Sequence, residues 1–160
     1  MKVKNEISIN KIMDDAERYF CGGFFCSEAV IASIIDNFGV DIPREVIAMA
    51  SGMGGGAGRA GCMCGALNGG IISLGLFLGR TEPTGAKDPK AVVCMDRTKE
   101  LHDWFKEMTG KNAACCRVLT REYDLSKAEH TEQCVRFTRN SVKKVSEILI
   151  QELGVRNIDV

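Results

Sequence analysis

Eight cysteines stand in a chain of 160 residues, at Cys21, Cys26, Cys62, Cys64, Cys94, Cys115, Cys116 and Cys134. A thiolate is both a soft-metal ligand and a redox nucleophile, so this set defines the chemistry to look for. The N-terminus, MKVKNEISIN, lacks the apolar core of a signal peptide. A cytoplasmic, reducing compartment is therefore expected, where thiols serve as ligands, nucleophiles or small apolar core residues rather than as disulfides. No C-x-x-C occurs, which argues against a thioredoxin-type dithiol, a zinc ribbon and a c-type haem. Instead the thiols fall into the pairs Cys21/Cys26, Cys62/Cys64 and Cys115/Cys116, with Cys94 and Cys134 alone.

The stretch GGGAGRAGCMCGALNGGIISLGLFLG, residues 54–79, surrounds two of these thiols with glycine. Glycine permits positive φ and close backbone approach, and it weakens a helix interior. The segment thus reads as a loop at 52–61 followed by a helix from about Cys64 to Leu78. Gly65 and Gly69 lie four apart on one face of that helix, a seam that another helix can cross tightly. Cys64 would sit at its N-terminus, where free amides and the helix dipole favour a thiolate. Cys26 has the same setting before a helix ending near Phe38, and Cys116 opens a short helix beside Arg117.

The elements needed to position these thiols are helical. Apolar residues recur at spacings of three and four over residues 9–20, with Ile9, Ile12, Met13, Ala16 and Phe20, and again over residues 26–38. Pro43 opens a short helix to Ala50, and Asp88-Pro89 starts one that stops at Thr109-Gly110. A short helix over residues 115–121 and a long one over 126–153 complete the set. No run alternates as a strand does. The expected fold is all-α, a single domain over residues 1–160, a compact bundle of six to seven helices around a glycine-rich central helix.

Other signals are weaker. Gly56-Ala-Gly-Arg-Ala-Gly61 matches G-x-G-x-x-G, but no strand precedes it, so dinucleotide binding is not expected. His102 and His130 sit among charges and read as solvated, with a His2Cys2 cluster as the outside alternative. Met49, Met53 and Met63 read as core filling, with thioether ligation of a soft metal as the alternative. Asp14, Asp15 and Glu28 read as helix charges. The 21 basic and 21 acidic residues cancel, which disfavours nucleic acid, and the longest apolar stretch is too short to insert in a membrane.

Taken together, Cys26-Ser-Glu-Ala-Val, Cys64-Gly-Ala-Leu-Asn-Gly after a glycine-rich loop, Cys116-Arg-Val-Leu and Cys134 in the last helix resemble the C_GCAxxG_C_C family of redox-active proteins. A similar domain accompanies an iron–sulfur centre in split-Soret cytochromes c. The resemblance covers roughly residues 20–149 and implies a helical fold in which Cys26, Cys64, Cys116 and Cys134 are the family cysteines. Cys21, Cys62, Cys94 and Cys115 depart from its pattern, and Cys21, Cys62 and Cys115 are candidate substitutes within their pairs.

Three functions follow as expectations. Cys26, Cys64, Cys116 and Cys134 could bind an iron–sulfur cluster, most simply [2Fe–2S], for electron transfer with a redox partner protein. Alternatively, with no metal, Cys64 would be a low-pKa attacking thiol in thiol–disulfide exchange, with Cys116 as its partner. In the third, Zn²⁺ or Cu⁺ would sit in a thiolate site without redox cycling. A helix with a glycine face also suits a homodimer.

Overall fold

The computed structural model describes residues 1–159 and is all-α, with seven helices. They are α1 (Ile9–Cys21), α2 (Cys26–Phe38), α3 (Gly54–Ala57), α4 (Gly65–Leu78), α5 (Pro89–Met108), α6 (Cys116–Leu119) and α7 (Ala128–Leu153). Most boundaries follow local chemistry. Ser8 caps α1 by accepting from the Lys11 amide at 3.0 Å. Asp88 caps α5, with Pro89 in its first turn. Gly39 and Gly154, at φ 67° and 66°, end α2 and α7 in the left-handed conformation. No helix among the described residues is long and apolar enough to cross a membrane.

Two expectations about secondary structure are corrected. The expected helix over residues 43–50 is a 3₁₀ segment, Arg44–Met53. A small parallel sheet also exists, β1 (Glu6–Ile7) with β2 (Arg156–Asn157), joining the two ends of the chain. Strands of two residues are too short to show alternation in a sequence.

The centre of the bundle is α2, which packs on α1, α4 and α7. Its Ala29, Val30, Ile31, Ala32, Ile34 and Phe38 are all buried. They meet Ile12 and Ala16 of α1, Leu67 and Leu74 of α4, and Val142, Val145 and Leu149 of α7. Each large aliphatic side chain buried here contributes about 1.5–3 kcal/mol. The α2–α4 crossing depends on the expected glycine seam. A Cβ on Gly69 would come within 2.6 Å of the Ser27 carbonyl oxygen, and one on Gly65 would collide with Cys26 Sγ. This close approach sets the start of α4 beside the start of α2, and with it Cys64 beside Cys26.

Candidate functional site

The stretch before α4, which takes in the four-residue α3 with its non-helical Gly55 and Gly56, is built from residues in an unusual conformation. Residues 55–59 all have φ between 62° and 73°, including the non-glycine residues Ala57 and Arg59. An L-residue pays about 1–2 kcal/mol for this conformation, which explains why glycine dominates here. The left-handed run folds the chain back on itself, with Cys62 N donating to Gly56 O at 3.0 Å. The G-x-G-x-x-G match therefore belongs to this turn, not to a strand–helix junction.

A distant segment then closes on the loop. Met63 and Cys115 form an antiparallel bridge. Cys64 N donates to Ala114 O, and Cys116 N donates to Cys62 O, both at 2.7 Å. This bridge brings the start of α6 against the start of α4. On its other side α6 is tied to α7, where the buried Gln133 Nε2 donates to Leu119 O at 2.9 Å. Cys134, the next residue, is thereby set opposite Cys116.

Cys26, Cys64, Cys116 and Cys134, on or next to four different helices, all line one cavity of about 620 Å³. Cys26 and Cys116 are the first residues of α2 and α6, and Cys64 is the N-cap of α4. Phe20, Phe25 and Phe137 supply apolar walls, and Arg59, Arg117 and His130 supply the cations or donors. The four thiols are free. Among the described residues, no group of three or more His, Cys, Asp or Glu side chains is gathered so as to hold a single metal ion.

The neighbouring thiols lie elsewhere. Cys21, Cys62 and Cys115 are exposed, Cys94 is half-buried on α5, and none of them lines the cavity. Met49, Met53 and Met63 do not line it either, and Met49, expected in the core, is 68% exposed.

Electrostatics corrects the expectation of a low-pKa Cys64. Burial pushes the Cys64 thiol well up, and a charge on Cys26 would push it further. The amides of Ala66 and Leu67 pull it down, but less strongly. Burial likewise raises Cys26, partly offset by the Ser27 and Gly55 amides, and it raises Cys116. Cys134 is pushed up to about 12 by burial and by the neighbouring Cys26 and Cys116. A helix N-terminus favours a thiolate, but desolvation of the charge outweighs it here. The donor set of soft sulfur atoms in apolar surroundings, with amides directed at two of them, fits a cationic group ligated by thiolates.

His130, read from the sequence as solvated, instead lines the cavity with Nε2 3.6 Å from Cys134 Sγ. The signal for it was present, since residues four apart share a helix face. His102 sits on α5 beside Asp103, away from the cavity, so a His2Cys2 set is not assembled. Glu28 caps α2 next to Cys26 by accepting from the Phe25 amide at 2.7 Å. Arg59 and Arg117 also reach the cavity, and only the loop conformation and the Met63–Cys115 bridge bring them together.

Neither a curated protein nor a solved structure matches the chain. Residues 24–148 match the family described as "Putative redox-active protein (C_GCAxxG_C_C)", a span that contains all four cavity cysteines and most of the chain, and the protein belongs to this family.

Proposed function

We propose that the protein is a redox carrier whose Cys26, Cys64, Cys116 and Cys134 together hold an iron–sulfur cluster. The observation that carries this reading is the convergence of four free thiols, from four separate elements, on one cavity in which each is hard to ionise alone. Four thiolates complete such a cluster, which supplies one-electron transfer. Its positive irons would remove the obstacle that burial places on thiolate formation. The Ser27, Gly55, Ala66 and Leu67 amides would offset negative charge on Cys26 and Cys64. The phenylalanine walls would keep water from the sulfur atoms. A cluster spreads its ligands over several atoms, which suits thiols arranged around a cavity rather than at one point.

Metal-free thiol–disulfide exchange is the second reading, favoured by the free state of the four thiols. The raised thiol pKa values count against it, because attack requires a thiolate. The partner on either reading would be another redox protein.

The deciding measurement is visible absorption with iron and sulfide analysis on protein purified without oxygen. Broad visible absorbance with matched iron and sulfide is expected. A colourless protein without iron would refute the cluster, and stoichiometric zinc or copper would replace it with a single-metal thiolate site.

A further inference from the structure

The cavity is larger than four thiols and a cluster require. Its volume of about 620 Å³ corresponds to roughly twenty waters at about 30 Å³ each and falls within the range of small-molecule sites. A [2Fe–2S] core is only four atoms. The lining changes character toward solvent, where Phe25 is 45% and Leu125 66% exposed. Arg59 and Arg117 line the same space, and no Asp or Glu does.

Five of the ten arginines, Arg18, Arg44, Arg97, Arg139 and Arg156, pair with a carboxylate. Among the described residues, Arg59, Arg80, Arg117, Arg121 and Arg136 do not, and of these Arg59 and Arg117 line the cavity. Arg117 donates to the Ala60 carbonyl at 2.9 Å, a bond that leaves its charge uncompensated. Arg59 lies over the Phe25 ring with its guanidinium carbon 5.8 Å from the centroid. Its backbone is held at φ 68°, in a run where glycine would be unstrained.

We infer that the outer part of the cavity binds a small organic anion with an apolar or aromatic body, its charge held by Arg59 and Arg117 and its body packed between Phe25, Phe20 and Leu125. The planar guanidinium fork suits a carboxylate, and aromatic walls suit a flat apolar body. This site goes beyond the cluster and does not depend on what the thiols hold.

The test is calorimetric titration of the full-length protein, purified without oxygen, with benzoate as the probe. Its neutral counterpart benzyl alcohol and its truncated counterpart acetate are titrated in parallel. Benzoate is expected to bind at least about tenfold more tightly than either. Arg59→Gly combined with Arg117→Gln should abolish the preference for benzoate over benzyl alcohol. Arg59→Gly also relieves backbone strain, so the fold, checked by circular dichroism, should be kept. Equal affinity for benzoate and benzyl alcohol, no benzoate binding, or an unchanged preference in the double variant would overturn the inference. Binding of acetate as tight as that of benzoate would reduce the site to surface ion pairing and overturn it too. Benzoate binding by a protein without iron or sulfide would refute the cluster alone, and a cluster-bearing protein that ignores benzoate would refute this site alone.

Discussion

The two ends of α2 handle ionisable groups in opposite ways. At its C-terminal end Asn37 donates to Asp15 of α1 at 2.9 Å, and Lys11 and Arg18 donate to the same carboxylate. Burial by itself would raise Asp15, but these three hydrogen bonds outweigh it and hold the carboxyl at about 2. At its N-terminal end Cys26 faces other thiols, no carboxylate–cation cluster forms around it, and burial dominates. One end is a finished polar cluster, and its role is structural. The other holds buried thiols that stay protonated and neutral at neutral pH unless a cation arrives to stabilise the thiolates. An ionisable group that the fold has not satisfied is the better pointer to function.

The sharpest way to break this contrast is to remove a thiol. Cys26→Ser, Cys64→Ser, Cys116→Ser or Cys134→Ser should each lose most of the bound iron and sulfide. Cys21→Ser, Cys62→Ser and Cys115→Ser should retain them. Iron loss in the second group and not in the first would move the site to the exposed thiols.

Next in size is the crossing that places Cys64 beside Cys26. A methyl group on Gly69 has nowhere to go but into the Ser27 backbone. Gly69→Ala should destabilise by about 2 kcal/mol after allowing for the better helix propensity of alanine. That corresponds to a fall in Tm of roughly 4–8 °C, measurable by thermal melts, and an unchanged Tm would show that the helices can part without cost.

The finished end should respond to pH. The folded pKa of Asp15, about 2, lies below the ordinary aspartate value of 3.8, so its contribution is present above about pH 4 and lost as pH falls through about 2. Asp15→Asn should cost about 1 kcal/mol at pH 7, reduced by solvent screening. The difference from the parent protein should close near pH 2 in denaturant titrations. A constant difference across that range would mean that the charge does not matter.

The cavity thiols should show the reverse response. In metal-free protein at neutral pH, alkylation of Cys26, Cys64, Cys116 and Cys134 should be slow and should accelerate only at strongly alkaline pH. Cys21, Cys62 and Cys115 should react readily, and mass spectrometry of a time course separates the two sets. Fast labelling of Cys64 would restore the thiol–disulfide reading.

The smallest effect is expected in the loop. Ala57 has φ 62°, so Ala57→Gly should stabilise by up to about 1 kcal/mol, seen as a small rise in Tm. A loss of stability would show that the alanine methyl is needed where it stands.

Much of this arrangement could be read locally. The periodicity of Ile9, Ile12 and Ala16 marks α1, Asp88-Pro89 marks the start of α5, and Gly65 and Gly69 mark a crossing face. Cys26, Cys64 and Cys116 could be placed at helix starts because capping and glycine signals act within a few residues of the chain. The rest depended on contacts between distant residues. Nothing near Cys116 announces that its amide bonds to Cys62 O, or that Gln133 fastens α6 to α7. The sequence by itself determined helices, their ends and which thiols stand at them. Only the tertiary structure decided which thiols face the cavity, that His130, Arg59 and Arg117 join them, and that Cys64 is a weak acid. Helix and cap propensities are set by neighbours in the chain, whereas burial, the largest influence on these thiols, is set by elements far away in sequence.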